Sequence, residues 1–372
     1  MHDLVIVGAG PAGSAAALAA RAARPDSSVL LLDRARFPRD KACGDAVGPH
    51  AVRVLDALGA TSALAGYPRV SRFELSDGQV VVRAVLHDAT YTVPRRVFDD
   101  RLRSAAVTAG ACVSRHHVRR LERRGGHVVL DGTFAARAVV AADGANSRIR
   151  RLLGHGRNPE RAVAVAMRGY AAVGGALDQR IVIDDAHWPA YGWSFAIGDG
   201  TANVGWGTTV AALRRSPSDG PLRRTLERRV AAVAGGPVRD LRAHHLALST
   251  WRPPLFDGRV LLAGDAASLI NPLSGEGIFY ALLSGALAGR AAVAAAAPGP
   301  SYARQLGRRL GWHLRHTRVA SALLDVRAVR RAGVRAAAAS RAFNDLTELA
   351  LGDGRITPTL VGALAAELVR RR

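Results

Sequence analysis

Gly8, Gly10 and Gly13, in the stretch GAGPAG, lie between an apolar run, DLVIV, and a small-residue run, PAGSAAALAARAA. Read as strand, turn and helix, this pattern lets the chain turn tightly and lets a pyrophosphate approach the backbone at a helix N-terminus. A second apolar run, SVLLLD, ends in Asp33, twenty residues beyond Gly13. An acid at that position is placed to accept hydrogen bonds from an adenosine ribose. A GxGxxG alone is weak, because glycine turns are common. With strand, helix and acid in register, it predicts dinucleotide binding through Gly8, Gly10, Ala12, Gly13, Asp33 and Arg34.

Another loop gathers the rare residues. Among 52 basic residues the only lysine is Lys41, and it shares the segment FPRDKACGD with Cys43, one of two cysteines. Cys43 and Cys112 form no CxxC pair and no disulfide framework, so they read as reduced thiols of a cytoplasmic protein. His116-His117, His244-His245 and the pair His313 and His316 lack an accompanying set of carboxylate or cysteine ligands, so no metal is expected. The serines of SLINPLSGEG have no nucleophile-elbow pattern around them, which removes a hydrolase reading.

The elements that would position these groups follow from run length and alternation. The opening reads as a βαβ unit. Residues 70–94 alternate around an Asp77-Gly78 turn and predict a separate antiparallel sheet, followed by a helix over about 96–109. Strand-like segments then return to the first unit, residues 162–250 resume the antiparallel sheet, and GRVLLAGDAA is another buried strand before a long helix. The expected organisation is an α/β protein with a Rossmann-like unit (1–66, 95–160 and 259–300) interleaved with an antiparallel substrate-binding sheet (67–94 and 161–258). A C-terminal helical region (301–372) completes it.

Composition narrows the class. The 372 residues are 49% hydrophobic and support a large core, and no run of 18 uninterrupted apolar residues suggests a membrane span. The net charge of +22 raises nucleic acid, an acidic membrane surface or an anionic ligand as partners. Arginine in place of lysine together with abundant alanine also follows from coding bias. Ten arginines and one acid, Asp325, between Ser301 and Arg341 still mark a basic C-terminal region, suited to peripheral membrane contact or to a solvated face. No basic patch interleaved with aromatics appears, so nucleic acid is not an expected partner.

Two later segments, VVAADGANSRIRRLLG and GRVLLAGDAASLINPLSGEGIFYAL, resemble the second and third cofactor motifs of FAD-dependent enzymes that include aromatic hydroxylases and geranylgeranyl reductases. Asp265, after a strand, suits ribitol hydroxyls, and the helix opening at Gly275, Gly277 and Ile278 presents N–H groups and its positive end to the pyrimidine side of a flavin. The loop around Cys43 resembles the K-x-C-G-G or K-x-C-G-D segment of the geranylgeranyl reductase family. That resemblance implies that Cys43 and Gly44 lie beside the isoalloxazine, with the thiol a candidate proton donor. It also implies a cofactor-reaching arginine in PRRVFDDRL, taken as Arg96. AYGWSFAIGDGTANVGWG is similar to the family's Y-x-W-x-F-P-K segment, which makes Tyr191 and Trp193 candidate substrate contacts. Ala196 and Ile197 replace the Pro-Lys, removing a cation that could hold a diphosphate head.

The resemblance implies FAD as cofactor, with electrons from an external donor such as NAD(P)H or a separate reductase, because no second GxGxxG is present. The leading expectation is reduction of C=C bonds in an isoprenoid or other apolar substrate by hydride transfer from reduced FAD. The alternative on the same scaffold is a monooxygenase or oxidase tailoring a small metabolite. Halogenation is set aside, because its lysine and W-x-W-x-I-P motif are missing.

Overall fold

The computed structural model describes residues 1–215 and 221–370. Residues 216–220, within the expected substrate-binding stretch, and 371–372, at the end of the expected helical region, lie outside the described residues. The chain opens with β1 (His2–Val7), α1 (Pro11–Ala23), β2 (Val29–Asp33), β3 (Ala46–Val47) and α2 (Pro49–Ala57). There follow β4 (Val70–Ser76), β5 (Val81–Thr92), α3 (Arg95–Thr108), β6 (Cys112–Arg115), β7 (Leu121–Arg124), β8 (His127–Leu130), β9 (Phe134–Ala141) and α4 (Arg148–Leu152). The middle holds β10 (Val163–Ala172), β11 (Asp178–Asp184), β12 (Ala190–Ala196), β13 (Thr201–Thr209), α5 (Val210–Arg215), α6 (Leu222–Ala234) and β14 (Arg239–Ala247). The last part comprises β15 (Phe256–Asp257), β16 (Val260–Leu262), α7 (Ile278–Ala294), α8 (Pro298–Leu324), α9 (Arg327–Ala336), α10 (Ser340–Leu351) and α11 (Pro358–Val369).

The first sheet has the order β15-β16-β9-β1-β2-β6, with the β7-β8 hairpin joined to β9. β1 pairs in parallel with both β2 and β9. Leu4, Val5 and Ile6 are consecutive and fully buried. A central strand of a parallel sheet is covered on both faces, which explains an unbroken apolar run. Next to it, α1 and α7 meet at backbone distance. A Cβ on Gly285 would sit 2.0 Å from the Ala12 carbonyl oxygen, and one on Gly289 would sit 2.0 Å from that of Ala16. The small-residue composition of both helices is therefore a packing requirement.

The second sheet has the order β14-β10-β13-β12-β11-β4-β5-β3. Its pairings are antiparallel except β4 with β11, which is parallel and corrects the uniformly antiparallel expectation. The chain leaves after the β4-β5 hairpin, contributes β6–β9 to the first sheet and returns as β10, near the far edge, before β11 comes to lie beside β4. A short hairpin turn does not join β4 to β11, so nothing forces them to run in opposite directions. One face of this sheet packs on α6 through Val165, Met167, Trp206, Leu226 and Val230. Phe73, Val82 and Leu86 join Val334 and Phe343 of the C-terminal helices. The edge strand β3 comes from within the expected first unit, pairing Ala46 with Thr92 and Val47 with Tyr91.

The α1–α7 contact makes a direct stability prediction. Gly285→Val should cost roughly 2–3 kcal/mol in urea unfolding by forcing the helices apart. Gly307→Ala, in α8 with open space at the Cβ position, should gain up to about 1 kcal/mol.

Candidate active site

A cavity of about 790 Å³ runs between the two sheets, from the GAGPAG turn to the aromatic strand β12. Gly8, Gly10 and Ala12 line one end, with Asp33 and Arg34 beside them. Gly8 has φ +102°, and a Cβ there would lie 2.3 Å from the Ala142 carbonyl oxygen. Gly13 sits behind this wall, where a Cβ would come within 1.7 Å of the Gly8 carbonyl oxygen. The carboxylate of Asp33 accepts from the Ala9 N–H at 2.8 Å and from the Ala35 N–H at 2.8 Å. It thereby ties the glycine turn to the end of β2, a task the sequence pattern did not disclose.

Asp143, in the second motif, accepts from Ser147 Oγ at 2.6 Å and from the N–H groups of Arg148 and Ile149 at 2.6 and 3.1 Å. Its carboxylate caps α4, so this motif builds the strand-to-helix geometry of the wall.

Midway along the cavity, Lys41 Nζ donates to Asp265 Oδ2 at 2.9 Å. Burial would push the Asp265 carboxyl up, but the Lys41 ammonium outweighs it and holds the group below its ordinary value. His244 lines the cavity nearby. Burial, followed by the Lys41 charge, lowers its pKa to about 4, so the imidazole is neutral at pH 7. Gly275, Gly277 and Ile278 line the cavity at the start of α7, and Gly275 has φ +71°. Glu276 stands between them, accepting from the Phe279 N–H at 2.7 Å, and burial raises its pKa to about 7. The sequence reading passed over Glu276, although its place in GEG, one residue before the N-cap of a helix, was a usable signal.

Cys43 and Gly44 form the neighbouring wall. Burial pushes the Cys43 thiol up, and the adjacent Arg95 guanidinium offsets this only in part, so the thiol keeps its proton at neutral pH. Arg95 is buried and lines the cavity, held by Asp99 at 2.6 and 2.8 Å. Arg96, the arginine chosen from the sequence, points outward and is exposed. The two are successive residues of α3, about 100° apart around the helix, so only one of them can face the cavity. Asp45 is fully buried in the left-handed region, φ +61°. It accepts from Tyr170 Oη and Asn203 Nδ2, both at 2.7 Å, and burial lifts its pKa to about 6. Asn203 also donates to the Cys43 carbonyl at 2.8 Å.

Tyr191, Trp193 and Phe195 all line the cavity from one face of β12. Tyr191 donates to the Ser274 carbonyl, and Trp193 Nε1 donates to Asn203 Oδ1 at 2.9 Å. Opposite Trp193 lies Gly205, where a Cβ would overlap the indole at 2.1 Å. Ala196 and Ile197, standing where the family has Pro-Lys, are buried apolar residues.

The glycine turn, the acid at the end of β2 and the third-motif turn at the start of α7 line a single elongated cavity, so its shape and donor set suit a dinucleotide with a planar ring system. The family of FAD binding domains matches residues 1–189. The menaquinone reductase of Mycolicibacterium smegmatis is 38% identical over 77% of this chain and 75% of its own. The digeranylgeranylglycerophospholipid reductase 1 of Methanopyrus kandleri is 34% identical over 79% and 80%. The fold is shared with the geranylgeranyl bacteriochlorophyll reductase-like protein of Thermoplasma acidophilum, with a TM-score of 0.77, 20% identity and coverage of 100% and 98%. The chain belongs to the geranylgeranyl reductase family of FAD-dependent oxidoreductases.

Glu276 makes the stability depend on pH. Its folded pKa is about 7 against an ordinary 4.5, so the folded state holds the proton more tightly. That stabilising contribution is complete below pH 4.5 and is lost as pH rises through 7. Glu276→Gln should therefore gain stability over the parent at pH 8, by on the order of 3 kcal/mol, with the gain vanishing near pH 4. Urea unfolding at the two pH values measures it.

Proposed function

We propose that this enzyme reduces a C=C bond of an isoprenoid chain, with FAD along the first sheet and the substrate under the aromatic strand β12. The observation that carries the reading is the placement of the Cys43 thiol beside Arg95, on the cavity wall that also bears Trp193 and Phe195. The names of the relatives, which are reductases of menaquinone and of a prenylated phospholipid, support an apolar prenyl substrate.

In this reading Gly8, Gly10, Ala12 and Gly13 receive the pyrophosphate, and Asp33 and Arg34 receive the adenosine. Asp265 takes the ribitol, while Gly275, Gly277 and Ile278 meet the pyrimidine edge. Arg95 takes the role first given to Arg96. When bound and reduced, the flavin would supply a hydride, one proton with two electrons, to an alkene carbon. The Cys43 thiol gives its proton to the other carbon, and Arg95 stabilises the thiolate left behind until solvent reprotonates it. Tyr191 and Trp193 hold the chain against the reacting edge and exclude water. Electrons come from outside the chain, from NAD(P)H or a reductase.

The proposed setting is cytoplasmic, with the enzyme visiting a membrane surface. Among the described residues no helix is long and apolar enough to cross a membrane. The outer face of α8 exposes Trp312, Val319 and Leu323 among Arg308, Arg315 and Arg318. An apolar stripe edged by arginine suits an anionic lipid surface.

Anaerobic mixing of chemically reduced protein with prenyl lipids should reoxidise the flavin and yield a product two hydrogens heavier. Reoxidation only after O₂ is admitted, with oxygen in the product, selects the monooxygenase alternative. Cys43→Ala should slow the anaerobic step by roughly 10²-fold or more while FAD stays bound. Asp265→Ala should lower FAD affinity at least tenfold by calorimetric titration.

A further inference from the structure

Gln179 is 3% exposed and lines the cavity, and its amide nitrogen has no hydrogen-bond partner among the described residues. It lies on β11 directly opposite Phe195 of β12 on one side and Phe73 of β4 on the other. Cross-strand partners share a face, so the row Phe73, Gln179, Phe195, Asn203, Tyr170 spans the cavity side of the sheet. Four of its members are aromatic or already paired. Asn203 is consumed by Trp193, by the Cys43 carbonyl and by Asp45, and Tyr170 by Asp45. Of this row of described residues, Gln179 is the member with an unused polar group.

An unpaired buried amide costs about 1–3 kcal/mol. A ligand oxygen that meets it recovers that cost. The charge around it selects the kind of oxygen. Arg95 is bound to Asp99, Arg168 to Asp40 and Lys41 to Asp265, so each of these cations already carries a carboxylate. Phe195 and Phe73, its cross-strand partners, and Ile181, two residues further along β11, give the amide apolar neighbours on the cavity wall. These neighbours offer a diphosphate no counter-charge, whereas an uncharged carbonyl needs only one N–H donor.

We propose that Gln179 is a specificity-determining residue, binding the neutral carbonyl oxygen at the head of a prenyl lipid and rejecting prenyl diphosphates. This rests on the isoprenoid reading of the site and adds its head-group chemistry. A carbonyl can belong to a quinone ring or to an ester, and the test separates the two.

The holoenzyme is titrated by flavin absorbance with four prenyl ligands of equal chain length: a quinone, an ester, a hydrocarbon and a diphosphate. The parent protein should bind a carbonyl ligand about tenfold or more tightly than the hydrocarbon, and whichever of quinone and ester binds better names the source. Gln179→Leu should shrink that preference to within about twofold and leave hydrocarbon affinity unchanged. Its ligand-free melting temperature should hold or rise, because an unpartnered amide is replaced by an apolar side chain of similar size. Gln179→Met repeats the measurement if the leucine variant folds poorly. A preference that survives both substitutions, or a parent protein that favours the diphosphate, overturns the assignment. A variant that melts several degrees lower with its preference intact makes Gln179 structural. If the parent binds no prenyl ligand at all, the isoprenoid reading falls as well.

Discussion

The buried carboxylate of Asp45 fixes the loop on which the site depends. It is sequestered in a left-handed backbone conformation and collects Tyr170 and Asn203 from adjacent strands of the second sheet. Its carbonyl accepts from the Val93 N–H at 2.9 Å. Two residues earlier stands Cys43, and four residues earlier Lys41, which reaches across to Asp265 beside the first sheet. The loop is therefore anchored to both sheets by charged or polar contacts that water does not easily reach. A buried, fully partnered polar network is costly to disturb and specifies one arrangement. The thiol is consequently held between the third-motif turn and the aromatic strand.

Small residues and arginines perform complementary tasks in the rest of the fold. Alanine and glycine bring α1 and α7 into backbone contact, which places two helix N-termini, at Pro11 and Ile278, on the same cavity. Buried arginines are matched with acids. Arg168 is 1% exposed and held by Asp40, and Arg95 is held by Asp99. The cavity beside them thus keeps an apolar section even though the chain carries a large positive charge.

Local patterns were legible in the sequence, and contacts made by register were not. GAGPAG followed by Asp33 needs only a strand, a turn and a helix in succession, and it lies where spacing placed it. The interleaving of two sheets followed from the order of alternating and continuous apolar runs. Arg95 and Arg96 are adjacent, and only the packing of α3 decides that Arg95 faces the interior while Arg96 is exposed. Gln179, Asn203 and Tyr170 share a row only because three strand pairings align them. No window of sequence contains that information. The parallel β4-β11 pair escaped for the same reason, since it joins segments about a hundred residues apart.

The anchoring of the Cys43 loop also sets the order in which the molecule can be completed on the ribosome. Lys41 and Asp265 are separated by 224 positions, and Asp45 and Asn203 by 158. Contacts of such long range form late, after intervening segments have settled. A nascent chain that has emerged only as far as residue 189 carries the glycine turn and the thiol but neither of those partners. Tyr170 and the Val93 N–H can fasten Asp45 earlier, whereas the ties to Asn203 and then to Asp265 are added only as those later segments emerge.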